Sequence, residues 1–151
     1  QFSRAAALLE KGLADGTLEN SRRNWELLAS AYQQTSRDEQ SLATLERAVN
    51  AFPQDASLEF SLAQTLYGTG RVAEAYARGQ AAVAKPGLDK PGQSNLYLAY
   101  LAYELQRYDE AAKWVEAART AGGVPAATLD PLAKAVNDAQ RERAALQTPA
   151  S

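Results

Sequence analysis

The sequence has no cysteine and no histidine among its 151 residues. Their absence excludes thiolate nucleophiles, histidine general bases, and zinc sites built from Cys or His ligands. The formal net charge is only −2, and no run of basic residues marks a surface for nucleic acid or anionic lipid. No apolar run approaches the roughly 20 residues that a membrane-spanning helix needs. We therefore expect no metal, no cofactor, no nucleic-acid partner and no membrane insertion.

Carboxylates and glycines, the other residue types that could carry chemistry, have structural explanations. The pairs Asp38-Glu39 and Asp109-Glu110 each stand at the predicted start of a helix, where the helix dipole favours negative charge. Gly68-x-Gly70 is typical of a turn between helices and does not match a phosphate-binding loop. We predict that the chain is not an enzyme. Its hydrophobic content of 46 % is enough for one domain with a buried core.

The chain also repeats itself. Arg37 and Arg71 are 34 positions apart, and Arg107 follows 36 positions later. Ala48, Ala82 and Ala118 keep the same two spacings. The first unit has Trp, Leu, Ala and Tyr at 25, 28, 29 and 32, then Leu, Ala and Pro at 45, 48 and 53. This order of residue types resembles the 34-residue tetratricopeptide repeat (TPR), a hairpin of two helices, A and B.

The resemblance implies an all-α fold, a TPR-type right-handed superhelix of antiparallel helical hairpins in a single domain over 1–147. The predicted segments are a half-repeat helix, three repeats of which the second ends in a loop insertion, a capping helix and a disordered tail: 1–19, 22–54, 55–91, 92–123, 126–147 and 148–151. The insertion is the KPGLDKPG segment, whose two Pro and two Gly argue against helix.

Local signals predict where individual helices begin and end. The spacing of apolar residues predicts a helix from Phe2 to Asp15. Ser36 and Glu39 form a predicted capping box, and Asp55 is a predicted N-cap. In the last helix Asp130 is expected to be the N-cap, with Pro131 at the first helical position.

Transferring the TPR register predicts a binding surface. In TPR superhelices, the helix A residues not used for packing line a concave groove. The candidate groove residues here are Glu26, Ser30, Gln33, Phe60, Gln64, Tyr67, Tyr97, Tyr100 and Glu104. Their aromatic members would form a contact patch, since aromatic side chains dominate binding hot spots. The alternative is that these rings pack between hairpins, as we expect for Trp25, Tyr32 and Trp114.

One known ligand class is disfavoured. Some TPR proteins bind a C-terminal carboxylate through Lys and Asn residues in the groove. The corresponding positions here hold Glu26, Phe60 and Tyr97, so the resemblance implies no carboxylate clamp.

A narrower resemblance rests on LLEKGLADGTLE, NWELLASAYQQTSRDEQSLATLERA, LAQTLYGTGRVAEA and the GLDKPGQ insertion before the last repeat. Together these segments resemble the C-terminal part of bacterial TPR proteins described as components of TonB energy-transduction systems. The resemblance implies a periplasmic scaffold that acts with TonB, ExbB and ExbD homologues of Gram-negative bacteria in nutrient uptake. It offers no catalytic residues.

The leading hypothesis is a protein-interaction module that holds a peptide or partner protein in its groove. One alternative is an accessory TPR domain of a larger envelope enzyme, such as a metallopeptidase. Another is self-association as a homodimer through the open N-terminal end, where Leu8 and Leu13 lie on the first helix. The missing partner helix of the half-repeat leads us to expect a longer parent protein, with any targeting signal outside this sequence.

Overall fold

The computed structural model describes residues 2–18 and 21–148, which contain eight α-helices and no β-strand. The helices are α1 (Phe2–Asp15), α2 (Arg22–Gln34), α3 (Asp38–Ala51), α4 (Ala56–Gly68), α5 (Val72–Val83), α6 (Pro91–Glu104), α7 (Tyr108–Ala121) and α8 (Ala126–Gln147). The all-α prediction and the bounds of the first helix are confirmed. The predicted end of the half-repeat at 19 and the tail after 148 lie outside the described residues.

The chain divides into two compact units, Gln1–Gly87 and Leu88–Ser151, which are described one at a time. In the first unit, α2 pairs with α3 and α4 with α5, while α1 packs on α2 and α3 on α4. Each hairpin closes on small and branched residues, and Ala48 and Ala82 are both fully buried. Trp25 and Tyr32 are buried as predicted. That the chain forms a single domain over 1–147 stays a prediction.

A polar cluster attaches α1 to the first hairpin. The Tyr32 hydroxyl donates a hydrogen bond to the Glu10 carboxylate, and an Arg47 nitrogen lies 3.6 Å from the same carboxylate. The Arg47 guanidinium also stacks 4.7 Å from the centre of the Trp25 ring. Burial, and then the hydrogen bond to Glu10, raises the pKa of the Tyr32 phenol. On the outer side of α1, Leu8 is 63 % exposed, and self-association through this helix stays a prediction.

The second hairpin replaces an aromatic residue by an ion pair. Glu59 stands 34 positions after Trp25 and is buried like it. Its carboxylate lies 2.6 Å from the Lys85 ammonium and 4.0 Å from an Arg78 nitrogen. A buried carboxylate needs such partners because its desolvation is costly. The repeat therefore keeps its backbone geometry while its packing chemistry changes.

In the second unit, α6 and α7 form a hairpin on which α8 packs. Val115 and Ala118 of α7 and Leu129, Leu132 and Val136 of α8 are buried. Trp114 is only half-buried, so the core assignment holds for it in part. Gly122, at a φ of 76°, ends α7 as predicted.

The turn between the two helices of each hairpin has the same hydrogen bonds in all three repeats. The arginine amide donates to the carbonyl five residues earlier, and the residue before the arginine has a left-handed backbone. The amide bonds are Arg37 to Tyr32, 2.8 Å; Arg71 to Leu66, 2.9 Å; and Arg107 to Ala102, 2.8 Å. The left-handed residues are Ser36 at 57°, Gly70 at 84° and Gln106 at 62°. This geometry confirms the register read from the 34- and 36-residue spacings.

The predicted capping box at Ser36 is wrong. The N-cap of α3 is Arg37, and no side chain caps that helix. A capping serine needs an extended backbone, whereas Ser36 is left-handed and serves the turn. The cap at Asp55 is confirmed, because its carboxylate accepts a hydrogen bond from the Leu58 amide at 3.1 Å.

The predicted N-cap at Asp130 is also wrong. The helix begins at Ala126, Pro125 is its N-cap, and Pro131 lies inside it. Asp130 instead forms an ion pair with Arg119 at 3.2 Å. Pro131 cannot donate a backbone hydrogen bond inside α8, which destabilises the helix there. The burial of Leu129, which is 1 % exposed, stabilises the additional first turn and offsets this loss.

We predict that Ala82→Asp largely unfolds the first unit, because it places a charge without a partner at a fully buried helix crossing. The expected loss is about 3–5 kcal/mol. The exposed Ala77→Asp in the same helix makes the same chemical change and should cost only about 0.5 kcal/mol in helix propensity. Thermal melts followed by circular dichroism compare them; similar melting of Ala82→Asp and the parent would contradict the register.

We further predict that Gln106→Gly stabilises the second unit by up to about 1 kcal/mol. Gln106 has a left-handed backbone, which costs a residue with a Cβ more than it costs glycine. The control is Gln64→Gly, at an exposed position inside α4, where glycine should destabilise by about 1 kcal/mol. Urea unfolding measures both changes, and equal losses would show that the turn at 106 is not strained.

Candidate functional site

A cavity of about 470 Å³ lies in the first unit and is lined by residues of α2, α3 and α4 and of the turn after α4. Its lining residues are Glu26, Ala29, Ser30, Gln33, Asp38, Leu45, Ser61, Gln64, Thr65, Gly68 and Thr69. We call this surface the α2–α4 groove. Four predicted groove residues belong to it: Glu26, Ser30, Gln33 and Gln64. The structure therefore brings together part of the predicted set, all of it polar.

The groove has an apolar floor and polar walls. Ala29 and Leu45 are each 3 % exposed, so these apolar side chains lie beneath the groove and offer a ligand little contact area. Ser30, Gln33 and Gln64 are exposed, and their amide and hydroxyl groups can both donate and accept hydrogen bonds. Such a lining suits a ligand that carries alternating donors and acceptors.

A hydrogen bond crosses the groove. The Gln33 side-chain amide donates to the Thr65 hydroxyl at 3.0 Å, which joins α2 to α4. The same hydroxyl lies 3.0 Å from the Ser61 carbonyl and donates to it. Two neighbouring repeats are thus linked at the wall of the groove, and the Gln33 carbonyl oxygen remains able to accept a bond from a ligand.

The charge of the lining is negative. Glu26 and Asp38 are its charged residues, and it contains no lysine or arginine. Outside the lining, Arg22 lies 3.1 Å from the Glu26 carboxylate and 2.6 Å from that of Asp55, so one guanidinium serves two carboxylates. A lining of this charge is unfavourable for a carboxylate ligand.

Helix geometry explains why these residues meet. Glu26, Ser30 and Gln33 are spaced four and three apart, which puts them on one face of α2. Trp25, Leu28 and Ala29 take the packing face. Gln64 stands 34 positions after Ser30 and repeats its placement on α4.

Sequence reasoning missed four polar residues of the groove: Asp38, Ser61, Thr65 and Thr69. Ser61 and Thr65 lie one position beyond the candidates Phe60 and Gln64, on the stripe of α4 that turns toward α2. For Asp38 the sequence indicates only a place at a helix N-terminus, and the residue does lie in the first turn of α3. The spacing of Ser61, Thr65 and Thr69 by four residues is the pattern in the sequence that indicates a polar face on α4.

Two aromatic candidates of the first unit are absent from the groove lining. Phe60 is half-buried, whereas Tyr67 is 39 % exposed. Tyr67 occupies the same position in its repeat as Gln33. The Gly70 amide donates to the Tyr67 carbonyl, just as the Ser36 amide donates to the Gln33 carbonyl. Their contribution to binding stays a prediction.

The remaining candidates lie on α6 in the second unit. Tyr100 is 49 % exposed, Glu104 is exposed and Tyr97 is half-buried. The Gln106 amide donates to the Tyr103 carbonyl at 2.9 Å, which gives Tyr103 the repeat position of Gln33. Tyr97 and Glu104 therefore stand one position beyond the equivalents of Glu26 and Gln33. The aromatic patch draws on both units and stays a prediction.

Residues 2–18 and 21–148 contain no group of three or more acidic side chains that is placed to hold a metal ion. None of the helices in this part combines the length and apolar character needed to cross a membrane.

No protein-family model and no curated protein sequence matches the chain. Solved structures do match. MamA of MSR-1 aligns with a TM-score of 0.62 and 22 % identity over 80 % of this chain and 67 % of its own. MamA of AMB-1 aligns with the same score and identity over 80 % and 68 %. YrrB, described as a TPR protein with an unusual peptide-binding site, aligns at 0.66 and 18 % identity over 91 % and 66 %.

At these identities the likeness concerns the fold. The three solved chains are longer than this one, which spans about two thirds of each. The TM-scores show that the all-helical fold of this chain resembles that of these solved structures, among them a TPR protein.

Proposed function

We propose that the chain is a non-enzymatic protein-interaction module that binds an extended segment of a partner protein in the α2–α4 groove. The observation that carries this proposal is the groove itself, in which exposed hydrogen-bonding side chains at equivalent repeat positions stand over a buried apolar floor. A backbone segment in extended form offers the alternating N–H and C=O groups that such walls can bind.

The groove is suited to binding because it is built on packed helices. Ser30 and Gln64 are carried by α2 and α4, whose opposite faces hold fully buried leucines such as Leu28 and Leu62. A preformed surface loses little conformational entropy when a ligand arrives, so more of the contact energy appears as affinity. The amides, hydroxyls and carboxylates of the lining are suited to hydrogen bonding with a ligand.

The comparison with YrrB supports a peptide ligand, since that protein shares the fold and is described by its peptide-binding site. For the cellular setting we propose a periplasmic role in a TonB-linked uptake system, with TonB-, ExbB- or ExbD-type proteins as partners. The support for this setting is the sequence resemblance carried by LLEKGLADG and GLDKPGQ.

We predict that Ser30→Arg and Gln64→Arg each weaken partner binding about tenfold or more, because a bulky cation at the wall fills the groove. Gln40→Arg makes the same change as Gln64→Arg at an exposed position of α3 outside the lining, and should bind like the parent. Binding to purified periplasmic domains of TonB and ExbD homologues is measured by biolayer interferometry, after melting curves show that each variant is folded.

The outcomes separate the two parts of the proposal. If Gln40→Arg loses as much affinity as the groove variants, or if Ser30→Arg and Gln64→Arg lose none, the groove is not the binding surface. If no TonB-system domain binds while peptides from a random library bind in a manner blocked by Gln64→Arg, the interaction function stands and the TonB setting is wrong.

A further inference from the structure

We propose that the α2–α4 groove selects a segment that carries a lysine or arginine side chain, whose cation is attracted by the negative charge that Glu26 and Asp38 give the lining. This inference rests on the proposed function and names the ligand class of the same site. It is based on the negative charge of the lining and on the neutral amide and hydroxyl groups that lie beside the two carboxylates.

The charge argument begins with the partners of Glu26. Its carboxylate lies 3.1 Å from Arg22, but the same guanidinium lies closer, at 2.6 Å, to Asp55. Two carboxylates and one guanidinium leave a net negative charge beside the groove. Glu26 is partly exposed on the lining, so a second cation can approach it from the cavity side.

Asp38 adds a second negative charge. Among the described residues no lysine or arginine lies within ion-pair distance of its carboxylate. It stands in the first turn of α3, where the helix dipole stabilises the charged carboxylate without neutralising it. The lining holds no cation that would oppose a basic ligand.

The shape of the groove fits a long basic side chain. Lysine and arginine bury an apolar stem and keep the charged end at a polar boundary. The stem can lie along the lining of the groove while the charged end stays close to the carboxylate of Glu26 or Asp38. The volume of about 470 Å³ lies within the range of about 300–1,000 Å³ that is usual for ligand pockets.

Gln33, Gln64 and Ser30 remain for the backbone of the bound segment, because their neutral groups pair with amides of any sequence. The groove would therefore recognise one basic side chain of the bound segment and would bind the backbone of the adjacent residues whatever their side chains. An acidic segment or a free C-terminal carboxylate would be repelled, since like charges that lose their water interact unfavourably.

The test uses the 151-residue chain and a random dodecapeptide phage library. Selected peptides should be enriched in lysine or arginine at one position. Each is then synthesised with that residue and with norleucine, which keeps the stem and removes the charge. We expect the norleucine peptide to bind about five- to tenfold more weakly than the lysine peptide, with an affinity that depends less on salt.

Charge-removing variants locate the effect. Glu26→Gln with Asp38→Asn should lower the affinity for the lysine peptide by the same factor and leave that for the norleucine peptide unchanged. The control is Glu46→Gln with Glu74→Gln, which removes two exposed carboxylates of the same unit outside the lining and should leave both affinities unchanged. Melting curves check the fold of each variant.

Each contrary outcome has a distinct meaning. Suppose that Gln64→Arg blocks the binding of the selected peptides. If these peptides show no preference for a basic residue, or bind equally well to the Glu26→Gln/Asp38→Asn variant and to its control, the inference fails and the proposed function stands. If their binding is indifferent to Gln64→Arg, the groove is not the site and both proposals fail.

Discussion

The structure depends on the close approach of two helices at positions where the side chain is a single methyl group. Ala48, Ala82 and Ala118 occupy equivalent places in the three hairpins, and each is fully buried. Dispersion contacts decay steeply with distance, so helices that touch through alanine gain packing that larger side chains would prevent. The turn hydrogen bonds to Arg37, Arg71 and Arg107 keep these alanines in register.

The binding surface follows from the same constraint. Once one stripe of α2 and one of α4 are committed to packing, the side chains that remain on helix A must face away from the core. Glu26, Ser30 and Gln64 are polar because they face solvent at the groove, whereas Leu28 and Leu62 fill the core. The scaffold thereby leaves the groove free to vary in chemistry. The exchange of Trp25 for Glu59 with Lys85 shows that even a buried position tolerates such variation when a counter-charge accompanies it.

The negative lining distinguishes this groove from one that would clamp a carboxylate. The difference rests on few atoms, since Arg22 is shared between Glu26 and Asp55, and among the described residues no lysine or arginine lies within ion-pair distance of Asp38. Specificity of this kind excludes ligands of the wrong charge as much as it attracts the right one. The same fold can then serve unrelated partners, because the polar positions of the groove are not used for packing the core.

The repeat period, the helical hairpins and the buried small residues could be read from the sequence, because they follow from spacing alone. Local signals did not determine every helix end. Ser36 adopts a left-handed backbone in the turn before α3, and α8 begins before its Asp-Pro signal, which buries Leu129. The groove required tertiary contacts. Thr65 and Asp38 reach it only because α4 and α3 bring them opposite α2, and no pattern within one helix records which neighbour faces it. Periodicity specifies the face that packs, whereas the meeting of faces from different helices decides what the exposed side can bind.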